Sequence, residues 1–75
     1  MIYEVELNGR VIAFNKLYDA LRFIDSYGKP LNAEVNDNEA RILLARDGQR
    51  LSAKIKYPPM AKESIEYELF GRGLV

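Results

Sequence analysis

The stretch EARILLARDGQRLSAKIKY, residues 39–57, decides the fold of this chain. Apolar and polar residues alternate on both sides of Asp47-Gly48, with the period of a half-buried strand. Asp-Gly is a strong hairpin signal, because a type I′ turn needs positive φ at both central residues. A two-residue turn then fixes the register. Leu44 falls opposite Leu51, Ile42 opposite Ala53 and Ala40 opposite Ile55, all apolar. Directly opposed residues share a face, so these six make an apolar core face. The other face pairs Ala45 with Arg50, Leu43 with Ser52, Arg41 with Lys54 and Glu39 with Lys56. Arg41 opposite Lys54 is a like-charge pair, unfavourable unless the side chains diverge or bind something.

The same logic finds a hairpin at the N-terminus. IYEVEL and RVIAF flank Asn8-Gly9, and the turn pairs Leu7 with Arg10, Val5 with Ile12 and Tyr3 with Phe14. That face is apolar except for Arg10, while Ile2, Glu4, Glu6, Val11 and Ala13 lie on the other.

Between the hairpins, Leu17, Ala20, Leu21 and Ile24 recur at helical spacing, widened by Phe23 and Tyr27. The spacing predicts a helix over 16–27, with Asn15 as N-cap. Gly28 suits a left-handed C′ position, and Pro30 forbids continuation. A short strand is expected over 31–35, followed by the turn-rich Asn36-Asp37-Asn38.

Pro58-Pro59 stops the second hairpin, since neither can donate to a ladder. The last segment reads two ways. Ile65, Tyr67 and Leu69 alternate with Glu66 and Glu68, as in a strand. A proline at N1 and Gly71 at C′ would instead frame a helix. The strand is the favoured reading, and residues 70–75 read as a flexible tail. The expected fold is α+β: an antiparallel sheet in the order β-β-α-β-β-β along the chain, with room for a sixth strand and a single helix packed on one face. The whole chain, residues 1–75, is one domain.

Composition narrows the function classes. Hydrophobic residues make up 48% of the chain and charged residues 29%, which is the balance of a folded domain and not of a disordered one. There is no Cys and no His. Disulfides, the commonest zinc ligands and Ser-His or Cys-His catalysis are therefore outside its chemistry. No phosphate-binding glycine motif is present. The acidic pairs Glu4/Glu6 and Glu66/Glu68 alternate outward on strands, where no burial separates their pKa values for acid–base work. No catalytic residue, metal ligand or cofactor is expected. The segment MIYEVELNG has neither a basic n-region nor an apolar h-region, and no run is long enough to span a membrane. The expectation is a cytoplasmic protein with no membrane partner.

Formal net charge is zero, but the charge is unevenly spread. Residues 41–62 hold six basic residues against Asp47 alone, a net +5, flanked by segments of net −3 and −2. Arg41, Arg50, Lys54 and Lys56 share the outer face of the second hairpin. A basic two-stranded ribbon can enter a major groove, so nucleic-acid binding through residues 41–62 is the alternative function. The neutral whole argues against it, because a nucleic-acid binder is normally a basic domain.

The outer faces also carry Ile2, Val11, Ala13, Leu43 and Ala45. One helix covers one face of the sheet, and an apolar patch rimmed by charge on the other marks a protein interface. A domain this small has a thin core, and a homodimer through the sheet or its edge would reinforce it. The first reading is a non-enzymatic protein-interaction module. Its partner-binding residues would be Arg41, Arg50, Lys54 and Lys56 for charge, with Val11 and Leu43 for apolar contact. The organisation resembles in size and general style the short proteins of phages and mobile elements. That resemblance implies an inhibitor or regulator that binds and blocks a host or defence complex, but no residue motif carries it and no site follows from it.

Overall fold

The computed structural model describes residues 1–75. It is α+β, with five antiparallel strands in one sheet and two helices. Strands β1 (Tyr3–Leu7) and β2 (Arg10–Phe14) form the first hairpin; helix α1 (Leu17–Tyr27) follows; then β3 (Lys29–Val35), β4 (Glu39–Arg46) and β5 (Gln49–Lys56) form a meander. The chain ends in a short 3₁₀ turn (Pro59–Ala61) and helix α2 (Lys62–Gly71).

Both hairpins take the register that their turns dictate. Asn8, Gly9, Asp47 and Gly48 all have φ between 51° and 78°, the left-handed pair of a type I′ turn. Tyr3, Val5 and Leu7 stand opposite Phe14, Ile12 and Arg10. Ala40, Ile42 and Leu44 stand opposite Ile55, Ala53 and Leu51. The two units join where β1 pairs antiparallel with β5, Val5 beside Ile55. The sheet order is therefore β2-β1-β5-β4-β3, with β2 and β3 at the edges.

The segment favoured as a sixth strand is α2, so the sheet has five strands and two helices in place of one. The deciding spacing is Ala61, Ile65 and Leu69, four apart and each fully buried. On a helix these share one face. On a strand Tyr67 would share the face of Ile65, yet its ring is largely exposed. Coverage gives the reason. A five-stranded sheet is roughly 19 Å across, and a single helix about 10 Å in diameter leaves much of one face open. Helix α1 packs against β1, β2 and β3. Helix α2 packs against β3, and its Ile65 and Leu69 join the fifteen-residue core with Val5, Ile24, Ile42, Leu44 and Ile55. No polar or charged residue is buried there.

Two details of α1 differ from expectation. Lys16, not Asn15, occupies the N-cap position, and no side chain caps the helix. Gly28 is extended (φ −169°, ψ 174°), not left-handed. Glycine is required there by closeness: a Cβ would lie 2.9 Å from the main-chain oxygen of Ala45. Strand β3 consequently starts at Lys29 and takes Pro30 into the sheet. It can do so as an edge strand, where a missing donor costs no ladder bond, and its register shifts between Pro30 and Asn32.

At the C-terminus the Leu74 carbonyl accepts a 2.8 Å bond from the Ala33 amide on the outer edge of β3, and the Leu74 amide donates to Leu69. The Leu74 side chain packs on the core.

Candidate interaction surfaces

Both helices cover the same face of the sheet, so the opposite face is open. Its side chains run in cross-strand rows. One row is Val11, Glu6, Lys54, Arg41 and Glu34; the next is Ala13, Glu4, Lys56 and Glu39. Pairing β1 with β5 therefore sets two glutamates beside the basic hairpin.

Arg41, Lys54, Lys56 and Val11 are brought onto this face together, with Leu43 and Arg50 nearer the β4–β5 turn. Glu39 sits between the like charges: its carboxylate is 3.3 Å from Arg41 Nε and 3.9 Å from Lys54 Nζ. Lys56 Nζ lies 3.1 Å from Glu6. Hydrogen bonding and charge from Glu6 hold the Lys56 pKa above its ordinary value. Lys62 donates to Asp37 at 3.0 Å and is raised in the same way. Arg46 stacks on the Tyr27 ring, 4.3 Å from its centroid, and donates to the Tyr27 carbonyl. Of the six cations in residues 41–62, only Arg50 lacks a partner within the fold. The basic island is thus partly offset: Glu6, Asp37, Glu39 and Asp47 stand against its six cations.

Tyr57, the aromatic beside Lys54 and Lys56, is buried, and its hydroxyl donates to the Asn36 carbonyl at 2.7 Å. Burial pushes its pKa up to about 12. Its ring is unavailable for base stacking. No group of three or more acidic side chains is arranged to hold a metal ion, and no helix is long and apolar enough to cross a membrane.

A second surface lies on the helical side and was hidden by the strand reading of residues 64–70. Tyr67 and Phe70, three apart on α2, point away from the core, and Met60 in the preceding turn is exposed as well. They are 77%, 72% and 78% exposed. Helix α2 therefore buries one side through Ile65 and Leu69, behind Ala61, and presents two aromatic side chains among its glutamates on the other. Glu63, Glu66 and Glu68 line the ridge and enter no ion pair. Tyr67 also borders a shallow groove between the helices, lined by Leu17, Glu63, Ser64 and Glu68. Counting the helical period through residues 60, 67 and 70 as well as 61, 65 and 69 would have found the ridge in the sequence.

No family model matches the chain, and no curated protein or solved structure matches it either.

Proposed function

We propose that this protein is a non-enzymatic interaction module that docks onto another protein through the outward ridge of α2. One observation carries the reading. Tyr67 and Phe70 stand in solvent on a helix whose opposite side is already spent in the core, and Met60 in the turn before it is exposed as well. Large aromatic side chains presented by a rigid element are the usual anchors of a protein interface. The three unpaired glutamates beside them specify the partner's chemistry: an apolar cleft rimmed by Lys or Arg, which receives the helix. The absence of His and Cys, together with a core free of charged groups, favours a role without catalysis. A cytoplasmic regulator or inhibitor that works by filling a partner's cleft is the form this takes. Ion pairing of Arg41, Lys54 and Lys56 weighs against the nucleic-acid alternative, because counterion release needs cations free to meet phosphates.

The test is an affinity comparison. The protein that co-purifies from nuclease-treated lysate is identified, purified and titrated against wild type, Tyr67→Glu/Phe70→Glu and Lys54→Gln/Lys56→Gln. Two aromatic anchors at about 2 kcal/mol each amount to a roughly 100- to 1,000-fold loss for the first variant. The second should change affinity less than about threefold, as exposed ion pairs do. Full affinity in the aromatic variant overturns the proposal. So does a loss confined to the lysine variant, or a salt-labile complex with nucleic acid alone.

A further inference from the structure

The two edges of the sheet are built differently. Strand β3 carries three of the devices that stop an edge from pairing. Pro30 removes a donor, the register shift beside it bends the strand, and the Leu74 carbonyl occupies the outward amide of Ala33. Strand β2 has none of them. It is RVIAF, without proline, bulge or a central charge, and its register with β1 is unbroken.

The hairpin geometry says which β2 groups are free. Residues flanking a two-residue turn form a hydrogen-bonded pair, and such pairs alternate along an antiparallel ladder. Arg10, Ile12 and Phe14 therefore bond to β1. The N–H and C=O of Val11 and Ala13 point away from the sheet. The side chains at this edge are incompletely covered on both faces. Val11 and Ala13 are exposed on the open face, and Ile12, Phe14 and Phe23 are only half-buried on the helical face. Phe14 and Phe23 stack at 5.7 Å between centroids.

We propose that β2 is a self-pairing edge, at which a second copy of this chain adds antiparallel about Ile12 to make one sheet from two. This goes beyond docking through α2 and does not depend on it. In that register Val11 of one copy faces Ala13 of the other, twice, and the four outward N–H and C=O pairs are satisfied. Ile12 meets Ile12 on the helical face. Arg10 falls opposite Phe14 on that same face, within reach of a cation–π contact, and the two arginines lie at opposite ends of the seam. A parallel arrangement would set arginine beside arginine. The two-fold axis closes the assembly at a dimer, because the only other edge is blocked. The shared seam is five residues long, or about 17 Å. It belongs with small interfaces, below about 1,200 Å², so the dimer is reversible and concentration-dependent.

The experiment is sedimentation velocity on the purified full chain from micromolar to millimolar, with amide exchange measured by NMR at both extremes. A monomer–dimer equilibrium is expected. Exchange at Val11 and Ala13 should slow as concentration rises, while exchange at Ala33 stays constant. Val11→Lys/Ala13→Lys places four lysines together on the open face and should remain monomeric. Mixing it with Val11→Glu/Ala13→Glu should restore a one-to-one dimer, which shows that the lysine variant is folded. A monomer at millimolar concentration overturns the proposal. So does a dimer in which Val11 and Ala13 exchange unchanged, or protection at those amides only when a different protein is added.

Discussion

Replacing Gly28 tests the packing of α1 onto the sheet with a single carbon atom. The residue is extended, a conformation open to any amino acid, so backbone preference gives Ala no penalty. In unstrained backbone the exchange would even stabilise by about 0.4–1 kcal/mol, by narrowing the unfolded ensemble. Contact reverses the sign. The new Cβ would lie 2.9 Å from Ala45 O and 3.4 Å from Leu44 Cβ. The oxygen is main chain inside β4 and cannot rotate away, so helix and strand must separate by roughly 0.5 Å in a close-packed interior. Overpacking of this kind costs about 1–3 kcal/mol. In a domain this small each kcal/mol moves Tm by about 4–8 °C. Gly28→Ala is therefore expected to melt roughly 5–20 °C below wild type by circular dichroism. Gly71→Ala is the control. It ends α2 with nothing within 4 Å, and it should gain up to about 1 kcal/mol of helix propensity. Gly28→Asn separates the causes, since Asn tolerates left-handed backbone but is larger than Ala. A wild-type Tm for Gly28→Ala, or a rescue by Asn relative to Ala, would refute the close-approach argument.

Further outcomes follow from the same geometry. In urea titrations Ile65→Ala should cost about 2–5 kcal/mol and Tyr67→Ala less than about 0.5; similar losses at both positions would contradict the helix. Stability should fall as pH rises between about 10 and 12. The folded state holds the Tyr57 proton up to about 12 against an ordinary 10, so the unfolded state binds fewer protons in that window. Tyr57→Phe should flatten this decline in pH-dependent denaturation. Arg72 donates two bonds to the Asp25 carboxylate, at 2.8 and 3.0 Å. Both groups are partly exposed, so Arg72→Ala should lose no more than about 1 kcal/mol in thermal unfolding, with the difference shrinking near 1 M salt as screening sets in.

The parts legible in the sequence were those governed by local chemistry. Asn8-Gly9 and Asp47-Gly48 fixed turn type, turn type fixed register, and register assigned each strand residue to a face. What depended on distant chain was not legible. The pairing of β1 with β5 comes from the assembled sheet, and only then does Glu6 reach Lys56 in what looked like a free basic patch. The glycine after α1 was recognisable as special, but its reason, the oxygen of Ala45, belongs to a strand seventeen residues away. Residues 64–70 satisfied two periods at once, since Ile65 and Leu69 are four apart and also in step with Tyr67 at two. The uncovered face of the sheet decided between them. That choice hid the ridge of Met60, Tyr67 and Phe70, which exists only on a helix.

The most direct measurement is hydroxyl-radical footprinting of the free protein and of its complex with the partner. Met60, Tyr67 and Phe70 are reactive side chains, and all three are exposed in the free chain. Docking through α2 removes most of their oxidation in the complex and leaves Tyr18, exposed on α1, labelled as before. Undiminished oxidation of the three in a saturated complex would place the partner elsewhere and contradict the proposed function.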